Sequence, residues 1–166
     1  MNKIYITTPI FYVNDLPHIG HAYTIIICDT ISRFNHLDGK DVLFTTGTDE
    51  HGLKVEKAAK DNKTNPIDFV DKVSLNFKKL AKKLKIKNTD FIRTTELRHK
   101  RAAEFFWKKL IENGQIYKGN YKGWYSVKDE SFYQEKELIK KDDFYETVDG
   151  SKVEWVEEES YFFKLS

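Results

Sequence analysis

The chain has 166 residues, of which 40% are hydrophobic, 14% aromatic and 33% charged, which is enough apolar material for a substantial core and argues against a disordered chain. The net charge of +2 permits a nucleic-acid partner without demanding one, and the single cysteine, Cys28, excludes an intrachain disulfide and a multi-cysteine zinc site. No secretory apolar region follows Met1 and no run is long enough to span a membrane, so the expected location is the cytoplasm.

Ile4-Tyr5-Ile6-Thr7-Thr8 is β-branched and aromatic, the pattern of a buried strand. Asn14-Asp15-Leu16-Pro17 is turn chemistry, and Gly20 opens a segment that is apolar around most of its circumference from Ala22 to Phe34. Thr24 to Ile27 alone has strand propensity, but the span from Ile19 to His36 suits a buried crossover helix, with Cys28 as a small buried hydrophobe. Val42-Leu43-Phe44-Thr45-Thr46 then reads as a second, parallel strand, which makes the chain α/β in class.

In such units ligands sit at the carboxyl ends of the strands, beside helix N-termini whose free N–H groups attract phosphate. Pro17-His18-Ile19-Gly20-His21 occupies that place. His18 and His21 can share one side of the first turn, and Gly20 lets a ligand approach the backbone, so His18, Gly20 and His21 are candidate triphosphate contacts. A bland alternative is that a histidine at a helix start merely caps it. The second loop, Gly47-Thr48-Asp49-Glu50-His51-Gly52, would line the same crevice. A carboxylate there repels phosphate, so Asp49 either binds a cationic group such as a substrate ammonium, or it or Thr48 caps the helix starting near His51.

Further on, Leu53 to Asp61 is moderately amphipathic, and Asn65-Pro66 reads as an N-cap and first helical residue. Phe69, Val70, Val73, Phe77, Leu80 and Leu84 form a core stripe, opposite a lysine face that is a solvated surface or, on a minority reading, a weak nucleic-acid contact. Phe91-Ile92 is a short buried strand, Thr94 or Thr95 caps the next helix, and Ala102, Ala103, Phe106 and Leu110 give that helix an apolar face ending at Gly114. A boundary is expected there, with residues 1–113 and 114–166 as two modules. The second is β-rich, with an Asp149-Gly150 hairpin turn between Tyr145 and Val153.

Thr7 to Asn14 leading into Pro17 to His21 resembles the first signature of class I aminoacyl-tRNA synthetases, and with the Gly47 to Gly52 loop it is similar to the methionyl-tRNA synthetase family. Asp90 to Thr95 and the stretch from Gly123-Trp124-Tyr125 continue the likeness across the chain. The resemblance implies a Rossmann-like parallel sheet, the first half of a class I catalytic domain, followed by a small β-rich connective module. It implies ATP-dependent activation of methionine and transfer to tRNA, with magnesium accompanying ATP as a substrate complex. His18 and His21 would then be catalytic and bind ATP with Gly20, Asp49 would hold the methionine ammonium, and Ile10 and Tyr12 would line the methionine pocket.

Two departures set further expectations. Many family members carry a zinc knuckle of Cys-x-x-Cys pairs in the connective module. Here the first pair reads Ser126-Val127-Lys128-Asp129, so no structural zinc is expected. The family's Lys-Met-Ser-Lys-Ser loop is absent as spelled, since the one methionine is Met1, and no anticodon-binding helical domain follows. The chain therefore reads as an amino-terminal part that is inactive alone, the remaining carboxyl-terminal half of the enzyme missing. A small nucleotidyltransferase, or a non-catalytic tRNA-contacting or split-subunit fragment, is the alternative reading.

Overall fold

The computed structural model describes residues 2–142 and 144–165. A parallel sheet is assembled around β3 (Asp41–Asp49). Strand β1 (Lys3–Thr7) pairs with Asp41 to Thr45, the short β2 (Phe11–Tyr12) with Thr48 and Asp49, and β4 (Asp90–Arg93) with Thr45 to Thr48. The Thr45 and Asp49 carbonyls accept from Thr8 and Val13, whereas those of Phe44 and Thr48 accept from Thr89 and Thr94. So β1 and β2 flank one edge of β3, and β4 the other.

The chain thus steps across the sheet in one direction, and right-handed crossovers place its helices on one face. Ile25 from α1 (Ile19–Leu37), Val55 and Ala59 from α2 (Leu53–Asp61), and Phe69, Val70 and Phe77 from α3 (Pro66–Lys83) meet Phe11 and Phe44 in one core. Strand alternation follows: Val42, Phe44, Thr46 and Thr48 are buried against the helices, while Leu43 and Tyr5 are exposed on the other face. Asn65 caps α3 through its side chain, which accepts from Asp68 N at 2.9 Å, and Pro66 is its first residue, as the sequence predicts.

Helix α1 corrects the expectation of a buried apolar helix. Apart from Ile25, the residues it buries are Asp29, Ser32 and Asn35, while Ile19, Tyr23, Ile27, Ile31, Phe34 and Leu37 are exposed. One polar residue of the inward line, Asp29, docks on backbone. Asp29 accepts from Arg33 Nε at 2.6 Å and from Lys87 N at 2.7 Å, and Arg33 donates to the Lys85 carbonyl at 2.7 Å. Cys28 is half-buried rather than buried; burial still pushes its thiol pKa up, away from reactivity.

The chain divides into two compact units, residues 1–103 and 104–166. Helix α4 (Leu97–Glu112) buries none of its residues, and Phe105, Phe106 and Trp107 are exposed, so its apolar stripe is not a core face as expected. Nor does Thr94 or Thr95 stand at its cap position: α4 begins at Leu97, directly after Glu96, and both hydroxyls bond Glu50.

In the second unit β5 (Ile116–Ser126) runs antiparallel to β9 (Glu154–Phe163) and to β6 (Ser131–Tyr133), and β7 (Leu138–Lys140) pairs with β8 (Tyr145–Thr147). Rings of Tyr117, Phe162, Tyr121, Phe132 and Tyr125 follow one another at centroid spacings of 4.2 to 6.2 Å. The Asp149-Gly150 turn forms, with Gly150 N on the Thr147 carbonyl at 2.9 Å. It closes only a bridge between Glu146 and Lys152, because the residues beyond it join β5 instead. Asp129 ties the turns together: its carboxylate accepts from Ser126 (2.7 Å), Ser151 (3.3 Å) and Tyr133 (3.3 Å).

Candidate functional site

Pro17 ends the turn and leaves His18 extended (φ −118°, ψ −179°) as the N-cap of α1. Gly20 N donates to His18 Nδ1 at 3.1 Å, and His18 N donates to His21 Nδ1 at 3.0 Å. This is a reciprocal capping box in which two imidazoles take the parts usually played by a hydroxyl and a carboxylate. A Cβ on Gly20 would stand 2.9 Å from His18 Cε1, so a side chain there would push the ring off its place over the first turn. The imidazole centroids lie 3.9 Å apart, and His21 is held edge-on by Phe11 at 5.0 Å and Phe77 at 5.1 Å. Burial, and then the charge of His18, push the His21 pKa down, which favours a neutral ring at neutral pH. The capping role of these histidines is therefore real, and their outer edges remain accessible: His18 and Gly20 are exposed and His21 is half-buried.

Asp49 ends β3 opposite Tyr12 and is half-buried. Among the described residues no hydrogen bond or ion pair joins its carboxylate to either histidine. The path between them runs through β2, where Phe11 packs on His21 and its neighbour Tyr12 pairs with Asp49. Alternation puts Asp49 on the face of Leu43 and Thr45, opposite the helices. A ligand touching both must lie across the carboxyl end of the strands, the place where open α/β sheets hold ligands. The capping alternative for this loop fails: α2 is capped by Gly52 with no side-chain bond, and Thr48 Oγ1 donates to Glu50 Oε1 at 2.7 Å instead.

Tyr12 reaches over this loop. Its hydroxyl stands 2.5 Å from where a Cβ on Gly52 would be, so a side chain there would displace Tyr12, and the φ of +110° at Gly52 would strain it as well. Ile10 lies between β1 and β2 and is 42% exposed. Beneath the loop sits a network that the sequence did not signal. Glu50, 3% exposed, accepts from Arg93 Nε at 2.7 Å and Nη2 at 3.0 Å, and from the hydroxyls of Thr48 and Thr95. Its own N donates to Thr94 Oγ1 at 2.9 Å, and Arg93 also reaches Asp71 of α3 at 2.5 Å. Burial pushes the Glu50 carboxyl up, but the bonds from Arg93, Thr48 and Thr95 and the Arg93 charge outweigh it and hold the pKa below the ordinary range. An acid within an acid-rich loop, with its partner on another strand, leaves no periodic trace in sequence.

The family model described as tRNA synthetases class I (M) matches residues 4–142. The chain belongs to this family. Among similar curated proteins, the methionine–tRNA ligase of Rickettsia prowazekii (strain Madrid E) is 59% identical over 165 residues, covering 99% of this chain and 32% of that protein. The probable mitochondrial methionine–tRNA ligase of Dictyostelium discoideum is 49% identical, again over 99% of this chain and 31% of its own length. Among solved structures, Mycobacterium tuberculosis methionyl-tRNA synthetase in complex with methionyl-adenylate superposes with a TM-score of 0.90 at 44% identity, over 98% of this chain and 32% of that one. The fold described above is accordingly the class I synthetase fold, of which this chain spans about a third of the relatives' length.

Within this family the Ser126 to Asp129 turn is where a zinc knuckle would be sought. Its donors here are hydroxyls gathered on one carboxylate, which do not fit the thiolate and imidazole set that zinc requires. Among the described residues no group of three or more His, Cys, Asp or Glu is placed to hold a metal ion, and no helix is long and apolar enough to cross a membrane.

Proposed function

We propose that this chain is the amino-terminal part of a methionine–tRNA ligase, which activates methionine with ATP to methionyl-adenylate and passes the acyl group to tRNA in the cytoplasm. The observation that carries this reading is the TM-score of 0.90 to a synthetase solved with methionyl-adenylate, at 44% identity over 98% of this chain. Residues 1–113 would serve as the nucleotide-binding half-domain, and residues 114–166 as an incomplete connective module.

In this mechanism His18 and His21 contact ATP and stabilise the charge developing on the α-phosphate. Positioning and electrostatics are the main resource for such chemistry. Gly20 gives the adenosine moiety close access to the first turn. Asp49, with no ion pair among the described residues, receives the methionine ammonium. Ile10, partly through its backbone, and Tyr12 line the methionine pocket. Magnesium enters with ATP, bound mainly through phosphate oxygens. The methionyl-adenylate would lie across the carboxyl end of β2 and β3, its phosphate toward α1 and its ammonium toward Asp49.

Methionine-dependent ATP–pyrophosphate exchange tests this. The protein extended to its relatives' full length is expected to exchange, and the 166-residue chain alone is not. Exchange by the isolated chain would refute its dependence on the remainder. Failure of the extended protein with methionine, at any ATP–magnesium concentration, would refute the activity itself.

A further inference from the structure

We propose that His18 and His21 stand at the mouth of α1 as a pair of neutral Nε2–H donors, their Nδ1 atoms committed to the backbone, so that acid dismantles this mouth instead of strengthening its grip on an anion. The assignment rests on the adenylation reading above only for the identity of the anion. A backbone N–H can only donate. The Nδ1 of His18, which receives Gly20 N, and the Nδ1 of His21, which receives His18 N, must therefore each carry a lone pair. An imidazolium has none, and a neutral ring with a lone pair on Nδ1 bears its proton on Nε2. The bonds that cap the helix thus fix both the charge and the tautomer of the two rings.

The surroundings agree. With centroids 3.9 Å apart, two charged rings would repel at close range. From β2 the ring facing His21 is Phe11, and from α3 it is Phe77, neither of which carries charge. The one titratable group acting on His21 among the described residues is His18 itself. Among the described residues no carboxylate acts on His21 to favour its imidazolium form. Protonating Nδ1 would set a donor against a backbone donor, so the ring would have to turn away and leave the first-turn N–H uncapped. The pair therefore offers an anion two directed hydrogen bonds and no net charge, and its tautomers are set before any ligand arrives.

The test uses the 166-residue chain with 15N-labelled histidine. Long-range 1H–15N NMR correlations at about pH 7.5 report the tautomer of each ring, and the titration runs to about pH 5.5. Signals lost in His18→Asn and His21→Asn assign the two rings. Both are expected as Nε2–H tautomers at the higher pH, and the backbone amide signals of His18 and Gly20 should move in step with ring protonation. Binding of inorganic tripolyphosphate should weaken as the rings charge. A proton on Nδ1 of either ring at about pH 7.5, or amide signals indifferent to ring titration, would overturn the assignment; so would tripolyphosphate binding that tightens in acid. An extended protein with these tautomers that fails pyrophosphate exchange would sink the adenylation reading alone.

Discussion

Arg93 and Glu50 form the most consequential pair in the first unit, because the Glu50 side chain is fully buried and Arg93 grips it with two nitrogens while holding Asp71 with one. Arg93→Met leaves that carboxylate without its cation and is expected to cost about 3–5 kcal/mol in urea unfolding at neutral pH. Arg93→Lys keeps the charge but loses the fork, and should fall between the two. The pH dependence follows from the lowered pKa of Glu50. Its contribution is present above the ordinary glutamate range and is lost as pH falls through the lower folded value. In Arg93→Met the carboxyl takes up a proton more readily, so the deficit relative to wild type should shrink on going from about pH 7 to about pH 4. Legibility at this scale was uneven. The histidine pair could be read because a glycine between two imidazoles after a strand and turn is locally distinctive. Glu50 could not, since its partner lies 43 residues away and only pairing of β3 with β4 brings them together.

Among the elements, α1 shows where periodicity informs and where it misleads. Its extent was readable from length and from the turn before it. Its inward face was not, because an apolar surplus around a helix does not say which line docks on backbone. Asp29 does that docking, and Asp29→Ala removes the acceptor for Lys87 N and Arg33 Nε at once. The expected cost is about 1–3 kcal/mol, from the loss of two hydrogen bonds to a charged, buried acceptor. Ile27→Lys, on the exposed line, should stay within about 0.5 kcal/mol. A helix packed by its apolar side would give the reverse order in paired urea titrations. Helix α4 repeats the lesson with its exposed Phe105, Phe106 and Trp107. In α3, by contrast, the predicted stripe does enter the core, with Phe69, Val70, Val73 and Phe77 all buried, because a cap and a proline fixed its start and the strands of the same unit meet its apolar side.

Taken whole, the molecule joins two units whose stability has different sources. The first has a contiguous apolar core drawn from strands and helices on one face of the sheet. In the second, among the described residues, Val153 is the one buried apolar side chain, so this unit stands on its aromatic row and on the hydroxyls gathered by Asp129. Apolar burial is the dominant stabilising term, and cooperative units open separately when their cores are separate. Residues 104–166 are therefore expected to unfold at lower urea than residues 1–103, as two steps in amide hydrogen exchange read by mass spectrometry. Asp129→Ala should lower the first step and leave the second in place, and Asp29→Ala should do the opposite. The Ser126 hydrogen bond, ahead of those from Ser151 and Tyr133, holds the Asp129 carboxyl below its ordinary range. Its contribution is thus present above that range and lost as pH falls through the lowered value, so acid should bring the first step forward. In Asp129→Ala the part of that acid shift due to this carboxyl should vanish, and a single transition shared by both units, moved equally by both substitutions, would show that the two cores act as one.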